Sequence, residues 1–267
     1  MRAYVSLLRV RFLNGLQYRA AALGGLTTQF FWGLMLVFIY RAFYGADVSS
    51  GGFAYKDLVS FVWLQQAFLA FIFLYDFDAE LLDMITTGGI SYELCRPVDL
   101  YPVWYTKLLS KRLAMGALRF APVLALGFLM PRPYKLSLPQ SPAAFFLFLI
   151  TLFLGLFLLV SISMLIYISI FKTTSAQGSI NIFSITGEFF AGMTIPVPLM
   201  PPWLRRVCYA LPFRWTSDLP LRVYSGSIAT GEALAGICVQ ILWIAALISA
   251  GSFFMKRVAR LSAVQGG

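Results

Sequence analysis

The stretch AAFFLFLITLFLGLFLLVSISMLIYISIF, residues 143 to 171, contains no charged side chain in 29 consecutive positions. A helix rises about 1.5 Å per residue and a bilayer core is about 30 Å thick, so about 20 apolar residues are enough to cross it. This run exceeds that length, and soluble core helices of the same character are shorter. Five further apolar runs lie at roughly residues 20–44, 57–75, 108–130, 175–195 and 232–255, with only short connections between most of them. The pattern predicts an all-α polytopic membrane protein with six transmembrane helices.

Composition points the same way, since hydrophobic residues make up 60%, charged residues 12%, and mean hydropathy is +0.79. Those values concentrate charge in the connections and leave no chain for a soluble catalytic annex, so residues 1–267 read as one transmembrane domain. The net charge of +10 reports orientation and headgroup contact in such a chain rather than nucleic-acid binding. There is no histidine, and Cys95, Cys208 and Cys238 are far apart in sequence. A histidine-containing zinc site, a histidine triad and a CxxC redox pair are therefore excluded within the chain.

Residues 1–19 lack the uninterrupted apolar core of a signal peptide, because Arg9, Arg11 and Arg19 break it. Val5, Leu8, Phe12 and Leu16 recur at helical spacing with Arg2 and Arg9 off that line, which suits an interfacial helix at the headgroups. An early start to the first span is the alternative. With alternate connections assigned to opposite sides and the N-terminus inside, twelve basic residues fall inside and eight outside, and Arg119 lies within a span. The bias favours both termini in the cytoplasm.

Between the second and third runs the sequence changes to FDAELLDMITTGGISYELCRPVD, Phe77 to Asp99. Read as a helix, this region and the residue before it place Asp76, Glu80 and Asp83 on one face and Phe77, Leu81, Met84 and Ile85 on the other. Gly88 and Gly89 can end that helix in a left-handed turn, and Pro97 stops the next short piece. Such a helix would press its apolar side on the spans and offer its acidic side to a soluble partner. A solvated linker helix is the plainer reading.

The order of these features resembles the permease subunits of ABC type-2 (ABC-2) exporters over the whole chain. The resemblance rests on a cytoplasmic amphipathic start, two spans, GGISYELCRPVDLYP at Gly88 to Pro102, three more spans, and a proline-rich segment before the last span. That segment, FFAGMTIPVPLMPPWLRRVCYALPFRWTSDLPLRVYSG at Phe189 to Gly226, carries Gly192, Pro196, Pro201, Pro202, Trp203, Pro212 and Phe213 in the family's loose pattern. The resemblance implies six spans, a cytoplasmic coupling helix after the second, and outer re-entrant helices before the sixth. It also implies assembly of two permeases, identical or related, with two ATPase subunits. The coupling segment would be residues 76–99, carried by Asp76 to Gly89 with Ser91 to Arg96 as its continuation, and the re-entrant segment 196–230.

The residues agree on one point: no G-x-x-x-x-G-K-[ST] phosphate loop occurs, and the pairs Gly24–Gly25, Gly51–Gly52 and Gly88–Gly89 have neither its spacing nor its lysine. The chain is therefore expected to be no enzyme and to hold no cofactor, with ATP and magnesium in the partner ATPase. In the proline-rich segment, two amphipathic pieces at about Trp203 to Leu211 and Trp215 to Tyr224, separated by Pro212, are too short to span. Backbone below the headgroups must be covered or line a wet cavity, so Trp203, Pro212, Phe213 and Trp215 are expected to cap the outer end of a pathway. An ordinary outer loop is the alternative.

Ionisable groups inside spans cost roughly 2.5–3.5 kcal/mol on insertion scales and tend to face a bundle interior. Gln65, Gln66, Arg119 and Glu188 fall about 12 to 16 Å below the outer side by residue count. They are expected to form a polar belt that either lines the substrate route or pairs across helices. Phe145, Phe146, Phe148, Phe153 and Phe157 read as lipid-facing bulk, and Gly155, Ser161 and Ser163 as helix contacts. The function expected is the cell-membrane permease of an ATP-driven exporter, with an unknown substrate and no nucleic-acid partner. An ion-coupled transporter using Glu188 and a non-transport immunity or signalling component are the alternatives.

Overall fold

The computed structural model describes residues 2–17, 19–44, 53–173 and 175–265, with side chains other than those of residues 2, 19–23 and 261–265. Gly51 and Gly52, and the side chains of Arg2 and Arg19, lie outside the described residues.

Every regular element among the described residues is helical. In chain order they are α1 (Arg2–Gly15), α2 (Arg19–Tyr44), α3 (Tyr55–Ala67), α4 (Leu69–Ile72), α5 (Ala79–Thr86), α6 (Ile90–Leu94) and α7 (Leu100–Leu129). There follow α8 (Pro142–Ile170), α9 (Ala176–Phe190), α10 (Pro202–Ala210), α11 (Asp218–Ser225) and α12 (Thr230–Gln265), with single 3-10 turns at Val197–Leu199 and Phe213–Trp215. The starts follow local chemistry. The Ser141 hydroxyl accepts from Ala144 N–H with Pro142 in the first turn of α8, Ser175 accepts from Gly178 N–H at α9, and Asp78 accepts from Leu81 N–H at α5. Each satisfies an N–H that the helix itself leaves unpaired.

Four helices are long and apolar enough to cross a membrane: Gly24–Tyr44 within α2, α7, α8 and Thr230–Arg260 within α12. The second run is divided at Phe68 into α3 and α4. The fifth is shorter than its sequence promised, since the 15 residues of α9 reach only about 22 Å. The chain then turns at Ala191–Met200, where the Gln65 side-chain amide of α3 donates to the Met193 carbonyl at 2.7 Å. Gln65 itself lies about 15 Å along α3 from Tyr55. The third run is longer than expected, as α7 begins at Leu100 rather than near residue 108.

One apolar core runs through α3, α4, α7, α8 and α11, and a small satellite of Val197, Met200 and Cys208 lies beneath α10. α12 packs along α8, α1 lies on α7, and α11 fills the space between α8 and α3. Gly155 permits the last of these contacts, because a Cβ there would lie 2.6 Å from the Thr216 carbonyl oxygen. The face of α1 differs from expectation. Leu8 and Phe12 turn inward together with Arg11, whereas Val5 is 68% exposed.

Candidate functional site

At one end of the bundle, α5 and α6 sit against α1 and α7 in a network of charge pairs. Arg11 of α1 grips Glu80 with two parallel bonds, Nη1 to Oε2 at 2.6 Å and Nη2 to Oε1 at 2.7 Å. Lys107 of α7 joins Glu80 at 3.2 Å and Glu93 at 2.7 Å, and Trp104 Nε1 donates to the other Glu93 oxygen at 2.5 Å. Lys111 donates to Asp76 at 2.7 Å and to the Phe77 carbonyl at 2.8 Å. The Lys107 and Glu93 side chains are only 6% and 9% exposed, so that pair is screened little by water, unlike Glu80 at 47%.

Arg112 is the deepest cation of this network, 1% exposed. Its Nη1 donates to the carbonyls of Ala70 at 3.2 Å and Phe73 at 2.7 Å, and its Nη2 to that of Asp76 at 3.2 Å. Carbonyls at a helix C-terminus have no partners within the helix and carry partial negative charge, so the guanidinium closes α4 and fixes the link to α5. The Tyr167 hydroxyl of α8 accepts from Asp78 N–H at 2.6 Å, and Glu188 of α9 accepts from Tyr75 N–H at 2.9 Å. The junction between the second run and α5 is thus held by α7, α8 and α9 together.

Two expectations about this segment need correction. The helix begins at Ala79, with Asp78 as its cap, so Asp76 precedes it and does not share its face. Asp76 and Glu80 turn toward lysine and arginine within the chain rather than outward, because α1 and α7 bring cations that the local sequence does not reveal. Asp83 stays exposed, as do Tyr92 at 83% and Arg96. Leu81 is fully buried, Phe77, Met84 and Ile85 are partly buried against the core, and Phe77 meets the Tyr167 ring at 5.3 Å. Gly88 has φ of +78°, the left-handed turn expected after α5, with Gly89 entering α6. A cavity of about 700 Å³ opens between α1 and this segment, lined among others by Arg11, Glu80, Asp83, Tyr92, Arg96 and Lys107.

The Arg11 hydrogen bonds pull the Glu80 carboxyl down from 4.5 to about 2, and Glu80 raises Arg11 in return. A depressed acid stabilises fully above its unfolded value and loses that contribution as pH falls toward the folded one. The α1–α5 link is therefore expected to be constant from about pH 8 to about pH 5 and to weaken only below 4.5. Spin labels at exposed Ser6 and Thr86 would report this as an unchanged distance over that range. Glu80→Gln is expected to broaden the distance distribution at neutral pH, and an unchanged distribution would show that the pair does not hold α1.

The four residues expected to form a polar belt make no hydrogen bond or ion pair with one another among the described residues. Arg119 and Glu188 make no ion pair among the described residues. Instead the Arg119 guanidinium packs on α2 at Gly25, where a Cβ would lie 2.7 Å from Cζ. Glu188 is occupied at the α4–α5 junction, and Gln65 is turned to Met193. Gln66, 2% exposed, packs at Gly33 of α2. Equal depth in the chain did not mean one shared surface, since the four side chains point to different neighbours.

At the opposite end, a charge cluster is buried at α11 and the turn before it. Arg214 and Asp218 are 0% exposed and 3.3 Å apart, and Arg222, at 12%, lies 3.6 Å from the same carboxylate. The Arg214 guanidinium is stacked 3.4 Å over the Tyr209 ring and 4.5 Å from that of Trp215, and such faces attract a desolvated cation. Gln240 of α12 donates to the carbonyls of Thr151 at 2.8 Å and Trp215 at 2.7 Å, locking this corner to α8. The spacing R-x-x-x-D-x-x-x-R between Trp203 and Tyr224 was the available signal. Of the expected cap residues, Trp203 is 67% exposed, whereas Phe213 and Trp215 pack on the core. Phe148, read as lipid-facing, is 2% exposed, whereas Phe146 is 63% exposed.

Long apolar helices packed around a buried core, with short helices at one end and a charged segment at the other, define an all-α integral membrane protein. Residues 30–264 match the model of a family described as "ABC-2 family transporter protein". The chain belongs to that family. No curated protein gives a significant match.

Proposed function

We propose that this chain is the membrane-spanning subunit of an ATP-driven exporter in the cell membrane. It would cross six times with both termini cytoplasmic, pair with an identical or related permease, and take its energy from a separate ATPase bearing the phosphate loop absent here. The observation that carries this reading is the stapling of α5–α6 to α1 and α7 by Arg11, Glu80, Glu93 and Lys107 in a chain of the ABC-2 family. A surface segment tied to the spans by buried charge moves as one body with them. A push on α5–α6 therefore becomes a rotation of α7 rather than a local bend, and alternating access follows as the spans rock and α10–α11 open.

Asp83, Tyr92 and Arg96, the exposed groups of that segment, would touch the ATPase, while Glu80 and Asp76 hold the segment in place. The ion-gradient alternative would need a free intramembrane carboxylate, and Glu188 is engaged with the Tyr75 N–H. The reading is tested by affinity capture of the intact chain from its own membranes. A phosphate-loop ATPase is expected to accompany it, and Asp83→Arg with Tyr92→Ala is expected to cut that recovery about tenfold, equivalent to about 1.4 kcal/mol. Capture without any such ATPase would overturn the proposal.

A further inference from the structure

Beyond α7, at the end of the bundle away from α5–α6, a cavity of about 760 Å³ is lined by Arg41, Lys56, Arg132 and Lys135 and, among the described residues, by no acidic one. None of the four forms a salt bridge among the described residues. Arg41 lies 5.4 Å from the centre of the Tyr55 ring. Like charges gathered around a cavity repel one another, weakly where water screens them, and an anion between them turns that repulsion into attraction.

The cations do not hang on a free loop. The α7–α8 connection that carries Arg132 and Lys135 is pinned at four points. Trp63 Nε1 donates to the Tyr134 carbonyl at 2.8 Å, Leu136 N–H to the Gly127 carbonyl at 2.8 Å, Ser137 N–H to Ser60 Oγ at 3.2 Å, and the Tyr224 hydroxyl to the Ser137 carbonyl at 3.1 Å. A cluster ordered in advance binds without the entropy cost of assembling it.

Phe128 and Leu138 line this cavity and also a second one of about 890 Å³, so the two adjoin and share a wall. The second runs between α7 and α8, with Phe68, Phe120, Phe148 and Phe153 among its almost wholly apolar walls, and reaches Leu8 and Phe12 of α1. A small soluble anion would satisfy the basic cup and leave the slot empty. A zwitterionic lipid would fill the slot and bring its own cation to the cup. Only a molecule with a net negative head and hydrocarbon chains matches both.

We propose that this combined groove binds an anionic phospholipid, its phosphate among Arg41, Lys56, Arg132 and Lys135 and its acyl chains along the slot. Arginine forks and lysine ammonium groups suit phosphate oxygens, and the slot opens toward the bilayer in which such chains already lie. The site also accounts for the modest basic bias between the two sides, since four of the eight basic residues counted outside serve a ligand and not orientation. It does not depend on the exporter reading.

The test uses the full-length purified chain in a neutral detergent, with phosphatidylglycerol and phosphatidylcholine of identical chains as probes and bound lipid counted by native mass spectrometry. Phosphatidylglycerol is expected to bind about tenfold or more tighter. Replacing two of the cations, Arg132→Gln with Lys135→Gln, is expected to remove most of that preference, a loss of up to about thirtyfold in affinity for the anionic lipid. Both positions are exposed, so the melting temperature without lipid should not move. Ala117→Trp, which fills the slot from an exposed wall position, is expected to weaken both lipids. Equal affinity for the two lipids, a preference untouched by the double variant, or competition by glycerol 3-phosphate as strong as by the whole lipid would each overturn the proposal.

Discussion

Asp218→Ala is expected to destabilise the protein by about 3–5 kcal/mol, because it removes the one carboxylate that pairs with buried Arg214 and Arg222 among the described residues. Two arginines around one aspartate already carry an excess positive charge, offset in part by the Tyr209 and Trp215 rings. Removing the anion leaves two like charges with no counter-charge between them. Asp218 also lies in the first turn of α11, where a negative side chain favours the helix dipole. The loss is expected to be local before it is global. α11 should leave the cleft between α8 and α3 while the long helices persist, and proteolysis near Gly226 should precede loss of helical signal. Unfolding titrations in mixed micelles would measure the energy. The informative companion is the triple change Arg214→Met, Asp218→Leu, Arg222→Leu, expected to recover most of the loss because it removes every buried charge at once. A single variant as stable as the parent would show that the cluster is not what seats α11.

Arg112→Ala is the second change expected to have a large effect, again about 3–5 kcal/mol. The guanidinium serves three carbonyls, and each buried acceptor left unpaired costs about 1–3 kcal/mol. Arg112→Lys keeps the charge but not the planar fork, so it is expected to lose about half as much. The site of failure matters more than its size, since the carbonyls belong to the end of α4 and to the link that leads into α5. On the exporter reading, Arg112→Lys should still capture the ATPase yet uncouple hydrolysis from transport, because a segment loosened at this joint can be pushed without moving α7. Retention of full transport with the lysine variant would count against α5 as the lever.

Much of this was legible in the chain. The apolar runs fixed the helical class, Gly88 marked the left-handed turn, and the proline pattern around Pro201, Pro202 and Pro212 marked pieces too short to span, whereas the caps Asp78, Ser141 and Ser175 were not read as helix starts. The family resemblance, read from the order of these features, agrees with the match over residues 30–264. All of these are local signals, in which a side chain acts on backbone within a few residues of itself.

What the sequence left open was the partner of each polar group. Arg112 reaches carbonyls 36 to 42 positions away, Arg11 reaches Glu80 across 69, and Glu188 reaches Tyr75 across 113. Periodicity set which face of a helix a residue occupies, but helix packing decided what that face meets. Arg119 and Glu188 at similar depth therefore went to different neighbours, Arg214 and Arg222 went inside, and four basic residues from three separate segments came to surround one cavity. Hydrophobic length determined that this chain enters a membrane as helices, because burial of apolar surface is additive along the sequence. Only the tertiary structure decided where its charges rest, because the energy of a charge depends on distances between segments that the sequence does not specify.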